Sequence, residues 1–334
     1  MAGFKVSKIF FLFKKYGGFR RLAAYVRLGL LGRVMGECAK GILKRKTLAE
    51  IYDASQDHVV AALQKKYKPL LLDRLAFYEN QFLTPDLAES HGGTSQRAEV
   101  IWFCWLQGVE EAPPIIKICL ASLKKYLPGK EIRLVDDSNR RQYVTLPDYI
   151  EKKWAKKQIP PALFADLLRL ELLILYGGTW LDPTVLCTGN NLVTKCLDAD
   201  LFLYQYRKSP DGPYAGISNW FITSCANHPM LMALRDGLLA YWKDFDFVLE
   251  YFVFHRFFDL LAEERPRLMA AMPYAYSSDA LALGHHWDKP FKKEMWEKWV
   301  SNVAFHKLTY KVDETVKNTP SNYYHHILEM YKEL

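Results

Sequence analysis

The chain has 334 residues, half of them hydrophobic and 14% aromatic, a composition that excludes an intrinsically disordered protein. Its 45 basic against 37 acidic side chains give a net charge of +8, but residues 1–46 alone carry +11 and the remainder −3. That asymmetry excludes a uniformly basic nucleic-acid-binding domain, and no nucleic-acid partner is expected. Six cysteines without C-x-x-C spacing read as free thiols in a reducing compartment. No apolar run approaches the 18 residues of a spanning helix. Walker A, G-x-G-x-x-G, H-E-x-x-H and G-x-S-x-G patterns are absent, and the pairs His285-His286 and His325-His326 read as surface residues.

Residues 1–96 read as a basic, helical N-terminal extension. The apolar run Ile9-Phe10-Phe11-Leu12-Phe13 is too short for a secretory signal and has no small-residue cleavage site. Leu22, Val26 and Leu30 recur every fourth position, a helical stripe on which Arg33 intrudes. Such a helix suits an anionic membrane surface, where each Lys or Arg contributes about 1 kcal/mol. A solvated arm packed on the body is the plainer alternative, and an RNA-binding arm a third. Thr47-Leu48-Ala49-Glu50 has the form of a capping box and predicts a helix to about Tyr78, broken at Pro69. His91-Gly92-Gly93-Thr94-Ser95 reads as a linker.

Residues 97–334 read as one α/β domain with a mostly parallel sheet. The first strand is Val100–Trp105, ending at Gln107-Gly108; Pro113-Pro114 opens a helix that reaches Tyr126. The second strand, Glu131–Val135, carries Asp136-Asp137 at its end. Ligands of open α/β sheets gather at the carboxyl ends of strands, which brings Gln107, Gly108, Asp136 and Asp137 near the expected crevice. For the two aspartates, a turn before Asn139 is the stronger reading.

The stretch 160–190 carries most of the chemistry. Leu163–Tyr176 predicts a buried helix, apolar nearly all round, interrupted by Asp166 and Arg169 on one face. Burying such charges costs several kcal/mol, roughly, unless they are well partnered, so either an internal ion pair or a polar ligand site is implied. Gly177-Gly178 ends the helix, and Thr179-Trp180-Leu181 then delivers Asp182 at a strand end, followed by Pro183-Thr184.

Together, Ala165-Asp166-Leu167-Leu168-Arg169 and Tyr176-Gly177-Gly178-Thr179-Trp180-Leu181-Asp182 resemble the core of capsular polysaccharide synthesis family glycosyltransferases. More distantly they resemble the sugar-transferase group that contains yeast initiating mannosyltransferase and the glucosylating bacterial toxins. Phe103–Gly108, Ser218–Ile222 and Asn227-His228-Pro229 resemble further shared blocks, so that the likeness covers residues 98–311. The resemblance implies a GT-A (Rossmann-like) nucleotide-sugar-binding domain and transfer of a sugar, from a UDP-linked or other nucleotide donor, to a saccharide hydroxyl in bacterial surface polysaccharide synthesis, with retention of configuration.

By position, the resemblance places Asp166 and Arg169 at the donor sugar and diphosphate, Asn219 beside the anomeric carbon, and Trp105, Gln107 and Gly108 at the donor. Asp182 would be the first carboxylate of an Asp-x-Asp site for Mn2+ or Mg2+. Thr184 stands where the second would be, and a hydroxyl is the poorer ligand for a hard cation. From Phe305–Lys311 the resemblance supplies His306 as a metal ligand and Lys307 and Lys311 as phosphate contacts; an ordinary strand is the alternative. The basic extension would bring the enzyme to a polyprenyl-diphosphate-linked acceptor at the inner face of the cytoplasmic membrane. Sugar and acceptor choice would rest on the loops 208–219 and 273–290. The competing reading is a membrane-associated, non-catalytic scaffold of the same fold.

Overall fold

Short apolar runs alternating with helices from Val100 onward assemble as the α/β pattern implies. The structure, a computed structural model, describes residues 17–44, 48–82, 99–189, 196–206 and 216–332. The Ile9–Phe13 run, Thr47 of the capping box and the 91–95 linker lie outside the described residues. Among the described residues three helices come first: α1 (Gly18–Arg27), α2 (Leu31–Leu43) and α3 (Leu48–Phe82). They are followed by β1 (Val100–Cys104), α4 (Pro114–Tyr126), β2 (Glu131–Val135), α5 (Asp148–Ala155), α6 (Pro161–Tyr176), β3 (Gly178–Leu181) and β4 (Val185–Cys187). Then come β5 (Leu201–Gln205), β6 (Ile217–Ser224), α7 (Pro229–Asp244), α8 (Val253–Glu264), α9 (Pro266–Ala271), α10 (Ser277–His286) and α11 (Lys293–Asn302). The chain closes with β7 (Phe305–Lys307), α12 (Glu314–Asn318) and α13 (Tyr323–Met330). Among the described residues no helix is long and apolar enough to cross a membrane.

Contacts group the chain into two units. The first, Met1–Tyr78 with Leu146–Leu167 and Ala233–Leu261, has helices as its only regular elements among the described residues. In α3 the buried residues Val59, Leu63, Tyr67, Leu71 and Leu75 recur every fourth position, as one face of a helix requires. Tyr67 lies 5.1 Å from the ring of Phe257. The predicted break at Pro69 does not occur, since the helix runs through it. Pro69 lies on the exposed side, where water can satisfy the carbonyl of Lys65. A mid-helix proline costs about 3 kcal/mol, less than five buried apolar side chains at roughly 1.5–3 kcal/mol each.

α1 buries a face other than that of Leu22 and Val26. Arg21, Ala24 and Tyr25 point inward, and Leu30 beyond the helix is buried as well. The Arg21 guanidinium donates to the hydroxyl of Tyr25, to Oε1 of Gln56 and to the carbonyls of Val248 and Leu249. Leu22 and Val26, together with Phe19, face outward, at 41%, 58% and 77% exposure.

The second unit, Glu79–Thr145 with Leu168–Met232 and Ala262–Leu334, holds the sheet. Its five strands are ordered β2-β1-β3-β6-β5. β1 is parallel to β2 and β3, while β6 runs antiparallel to both β3 and β5. The carboxyl ends of β1, β2 and β3 therefore share one edge with the amino end of β6. A separate two-stranded ribbon pairs β4 with β7. Cys187 of β4 donates its backbone N–H to Ser122 Oγ of α4, fastening that helix to the ribbon.

The predicted strand and helix limits are met to within two residues from β1 to β3. The double glycine is needed for shape: both residues have φ in the left-handed region, at 66° and 91°. A Cβ on Gly177 would also lie 3.0 Å from the backbone N of Ala226. Asp136 is a turn residue as read, its Oδ1 accepting from the backbone N–H groups of Ser138 and Asn139 at 2.8 and 2.9 Å. All six cysteines are free thiols.

Candidate active site

Asp182 leaves the carboxyl end of β3, where its backbone N–H donates to the carbonyl of Trp220 at 2.8 Å and continues the ladder with β6. Pro183 and Thr184 turn the chain into β4, the turn closed by Val185 N–H to the carbonyl of Asp182 at 3.0 Å. Strand β7 is laid on that turn by backbone bonds. Val185 pairs with Lys307, and Leu308 N–H donates to the carbonyl of Thr184 at 2.9 Å. The register puts Lys307 beside Asp182, 125 residues away in sequence.

Three donors converge on the Asp182 carboxylate. Oδ1 accepts from Arg169 at 3.2 Å and from the indole N–H of Trp180 at 3.0 Å. Oδ2 accepts from Lys307 Nζ at 2.7 Å, and the same ammonium donates to Thr184 Oγ1 at 2.7 Å. Arg169 also donates to the carbonyl of Asn219 at 2.8 Å, and its guanidinium lies 5.0 Å from the ring centroid of Trp180. Burial opposes the Asp182 carboxylate, but Lys307 and Arg169 outweigh it and hold its pKa below the ordinary value. The anion is therefore permanent at neutral pH, and with both oxygens engaged by cations it is a poor general base.

The structure thus brings Arg169, Asp182, Asn219 and Lys307 together at the shared strand edge. Asp166 is buried on α6, one turn before Arg169. Trp105, Gln107 and Gly108 follow β1 at that same edge, and Trp105 meets Tyr310 edge to face at 5.2 Å. Lys311 stands next to Tyr310, its Nζ 5.9 Å from the ring centroid.

His306 is not brought to Asp182. Successive residues of a strand face opposite ways, so with Lys307 turned to Asp182 its neighbour turns away. Its Nε2 shares a hydrogen bond with Thr188 Oγ1 at 3.1 Å, and burial lowers its pKa to about 4.

That arrangement bears on the expected divalent ion. A hard cation is held by several oxygens, mostly carboxylates. Here there is one carboxylate with both oxygens taken, and the hydroxyl of Thr184 is held by the same ammonium. Among the described residues no three or more His, Cys, Asp or Glu side chains gather as a metal-holding group. The donor set fits an ammonium rather than a divalent ion.

Two contributors escaped the sequence reading. Trp180 stands two residues before Asp182, hence on the same face of the strand, a signal that was available. Gly284 of α10 was not singled out: a Cβ there would lie 2.5 Å from the carbonyl oxygen of Lys307, so the glycine lets the helix sit directly on β7. No sequence pattern marks a helical glycine of that kind.

No curated protein sequence matches the chain. Among solved structures it is similar to the "PaToxG Glycosyltransferase", at 14% identity and a TM-score of 0.37, over 61% of this chain and 82% of that one. The sequence profile described as "Capsular polysaccharide synthesis protein" matches residues 45–327, beyond the 98–311 of the resemblance, and so covers α3 as well as the α/β unit. The chain belongs to the capsular polysaccharide synthesis protein family.

Proposed function

We propose that this chain is a glycosyltransferase that moves a sugar from a nucleotide sugar to a saccharide hydroxyl in surface polysaccharide synthesis. One observation carries the reading: two cations, Arg169 and Lys307, converge on one half-buried acid at the carboxyl edge of parallel strands. Open α/β sheets bind their ligands at that edge. In such a transfer the bond from the anomeric carbon to the diphosphate breaks, its electron pair staying on the diphosphate. The acceptor oxygen bonds to the carbon, and its proton leaves with the departing diphosphate. Fixed positive charge aimed at the leaving group is the natural catalyst for that step. Lys307 is the group for it, with Arg169 fixing the acid that orients it.

Trp105 and Tyr310 supply aromatic surface for a base, UDP being the donor nucleotide we favour, and Lys311 a second cation for phosphate. Retention of configuration is favoured because Asp182, occupied by cations, is not free to deprotonate an acceptor. A GT-A type domain and a polyprenyl-diphosphate-linked acceptor belong to the same proposal.

The partner of the extension is proposed to be an anionic membrane surface. What supports it is α1, which buries a cation and turns Phe19, Leu22 and Val26 outward beside the exposed Arg20. With +11 in residues 1–46, the segment would place the enzyme at the inner face of the cytoplasmic membrane.

Melting of the full chain with UDP, GDP and their sugar conjugates tests the reading. A rise in melting temperature with one of them, absent in Lys307→Ala, is expected. A non-catalytic scaffold is favoured by one observation, the missing second carboxylate at Thr184. Nucleotide-sugar binding without any hydrolysis or transfer would decide for it, and no binding at all would overturn both the donor and the enzyme.

A further inference from the structure

We infer that Lys307 takes the place of the divalent cation, so that donor binding and transfer by this chain proceed without metal. The inference rests on the glycosyltransferase reading and deepens it at the same site. An ammonium 2.7 Å from both Asp182 Oδ2 and Thr184 Oγ1 fills the space that an ion bridging residues 182 and 184 would need. It also balances the charge. A dication between two carboxylates is neutral, and an ammonium between one carboxylate and one hydroxyl is neutral too. Thr184 and Lys307 are therefore a matched pair. With Arg169 added, either arrangement leaves one positive charge for the diphosphate.

The backbone fixes the position and the face of the lysine. β7 is bonded to the 182–188 segment at both ends, through Leu308 to Thr184 and through Thr188 to Ala304. Gly284 allows α10 to press on the Lys307 carbonyl from behind. The ammonium has three donors, of which Asp182 and Thr184 take two. The third suits a diphosphate oxygen, with a charge-assisted bond whose strength grows as the leaving group gains charge.

The test uses the full chain, freed of metal by EDTA, with UDP and GDP as probes and calorimetric binding as the readout. Manganese uptake by the chain is followed separately by electron paramagnetic resonance. Nucleotide binding should be the same within about twofold in EDTA and in manganese. Lys307→Ala should weaken it by roughly tenfold or more. No stoichiometric manganese site should appear. Lys307→Glu, which supplies a second carboxylate beside Asp182, should make binding manganese-dependent, an outcome that a merely structural lysine would not give. Lys307→Gln, with its melting temperature measured, guards against loss by misfolding. Binding that collapses in EDTA and returns with manganese in the unmutated chain would overturn the inference and leave the glycosyltransferase reading standing. Failure of every nucleoside diphosphate to bind under both conditions would overturn the reading itself, and the inference with it.

Discussion

Without the Arg169 guanidinium, Oδ1 of Asp182 would keep only the Trp180 indole, and the carbonyl of Asn219 would lose a charged donor. Arg169→Met should therefore lower kcat/KM for donor hydrolysis by about 10²–10³-fold, the usual cost of removing one preorganised charge. Kinetics on a folded variant, verified by its melting curve, checks this. Gly284→Ala makes a sharper case, because two effects oppose each other. Ala is the better helix former by about 1 kcal/mol, but its Cβ meets the Lys307 carbonyl at 2.5 Å, and overpacking costs about 1–3 kcal/mol. The variant should melt lower, not higher, and lose activity in step as β7 is displaced. A stabilised, fully active variant would contradict that account. At this scale the acid and Arg169 were legible from their place at a strand end and inside an apolar helix. The choice between His306 and Lys307 was not, because it depends on the register of β7 against β4, which local sequence does not encode.

The helices show where reading by stripe succeeds and where it fails. In α3 the fourfold recurrence of buried residues is long enough to override a proline, which local propensity alone would have taken as a stop. In α1 the stripe is split: Leu22 and Val26 face outward, Leu30 just beyond the helix is buried, and Arg21 lies inside with four acceptors in its own unit. A periodic stripe tells that a helix has two faces, not which of them the body covers. The outward face gives a direct prediction. Replacing Phe19, Leu22 and Val26 by Asp should abolish sedimentation of the full chain with vesicles of anionic phospholipid while leaving its melting temperature within about 1–2 °C, because exposed positions carry little stability. Retained binding after the triple change would assign any affinity to charge alone, and the outward face would then have no membrane role.

For the molecule as a whole, acid is the most informative perturbation. His228 and His306 are both buried, and burial lowers the pKa of each to about 4 from the ordinary 6.5. Between those values the unfolded chain binds protons that the folded chain refuses, so stability falls as the pH drops from about 6.5 towards 4. The loss is on the order of 3 kcal/mol for each histidine by about pH 4. Asp182, with its pKa held down, adds a loss of the same sign at lower pH. Melting temperature should therefore be flat near neutrality and decline below about pH 6, and the decline should shrink in His306→Gln. An unchanged slope would mean that His306 is not held neutral in the fold.

The ribbon of β4 and β7 has a consequence in time as well as in space. Asp182 and Arg169 leave the ribosome well before Lys307 is made, and a chain grows by about 5–20 residues per second. For several seconds, then, the nascent protein holds an acid and an arginine without the ammonium that completes them. That cation is delivered by a three-residue strand 125 residues after the acid, and the loop it must close is long, which is the slow kind of contact to form. Docking of β7 on β4, and with it the arrival of Lys307 beside Asp182, is therefore expected late in folding.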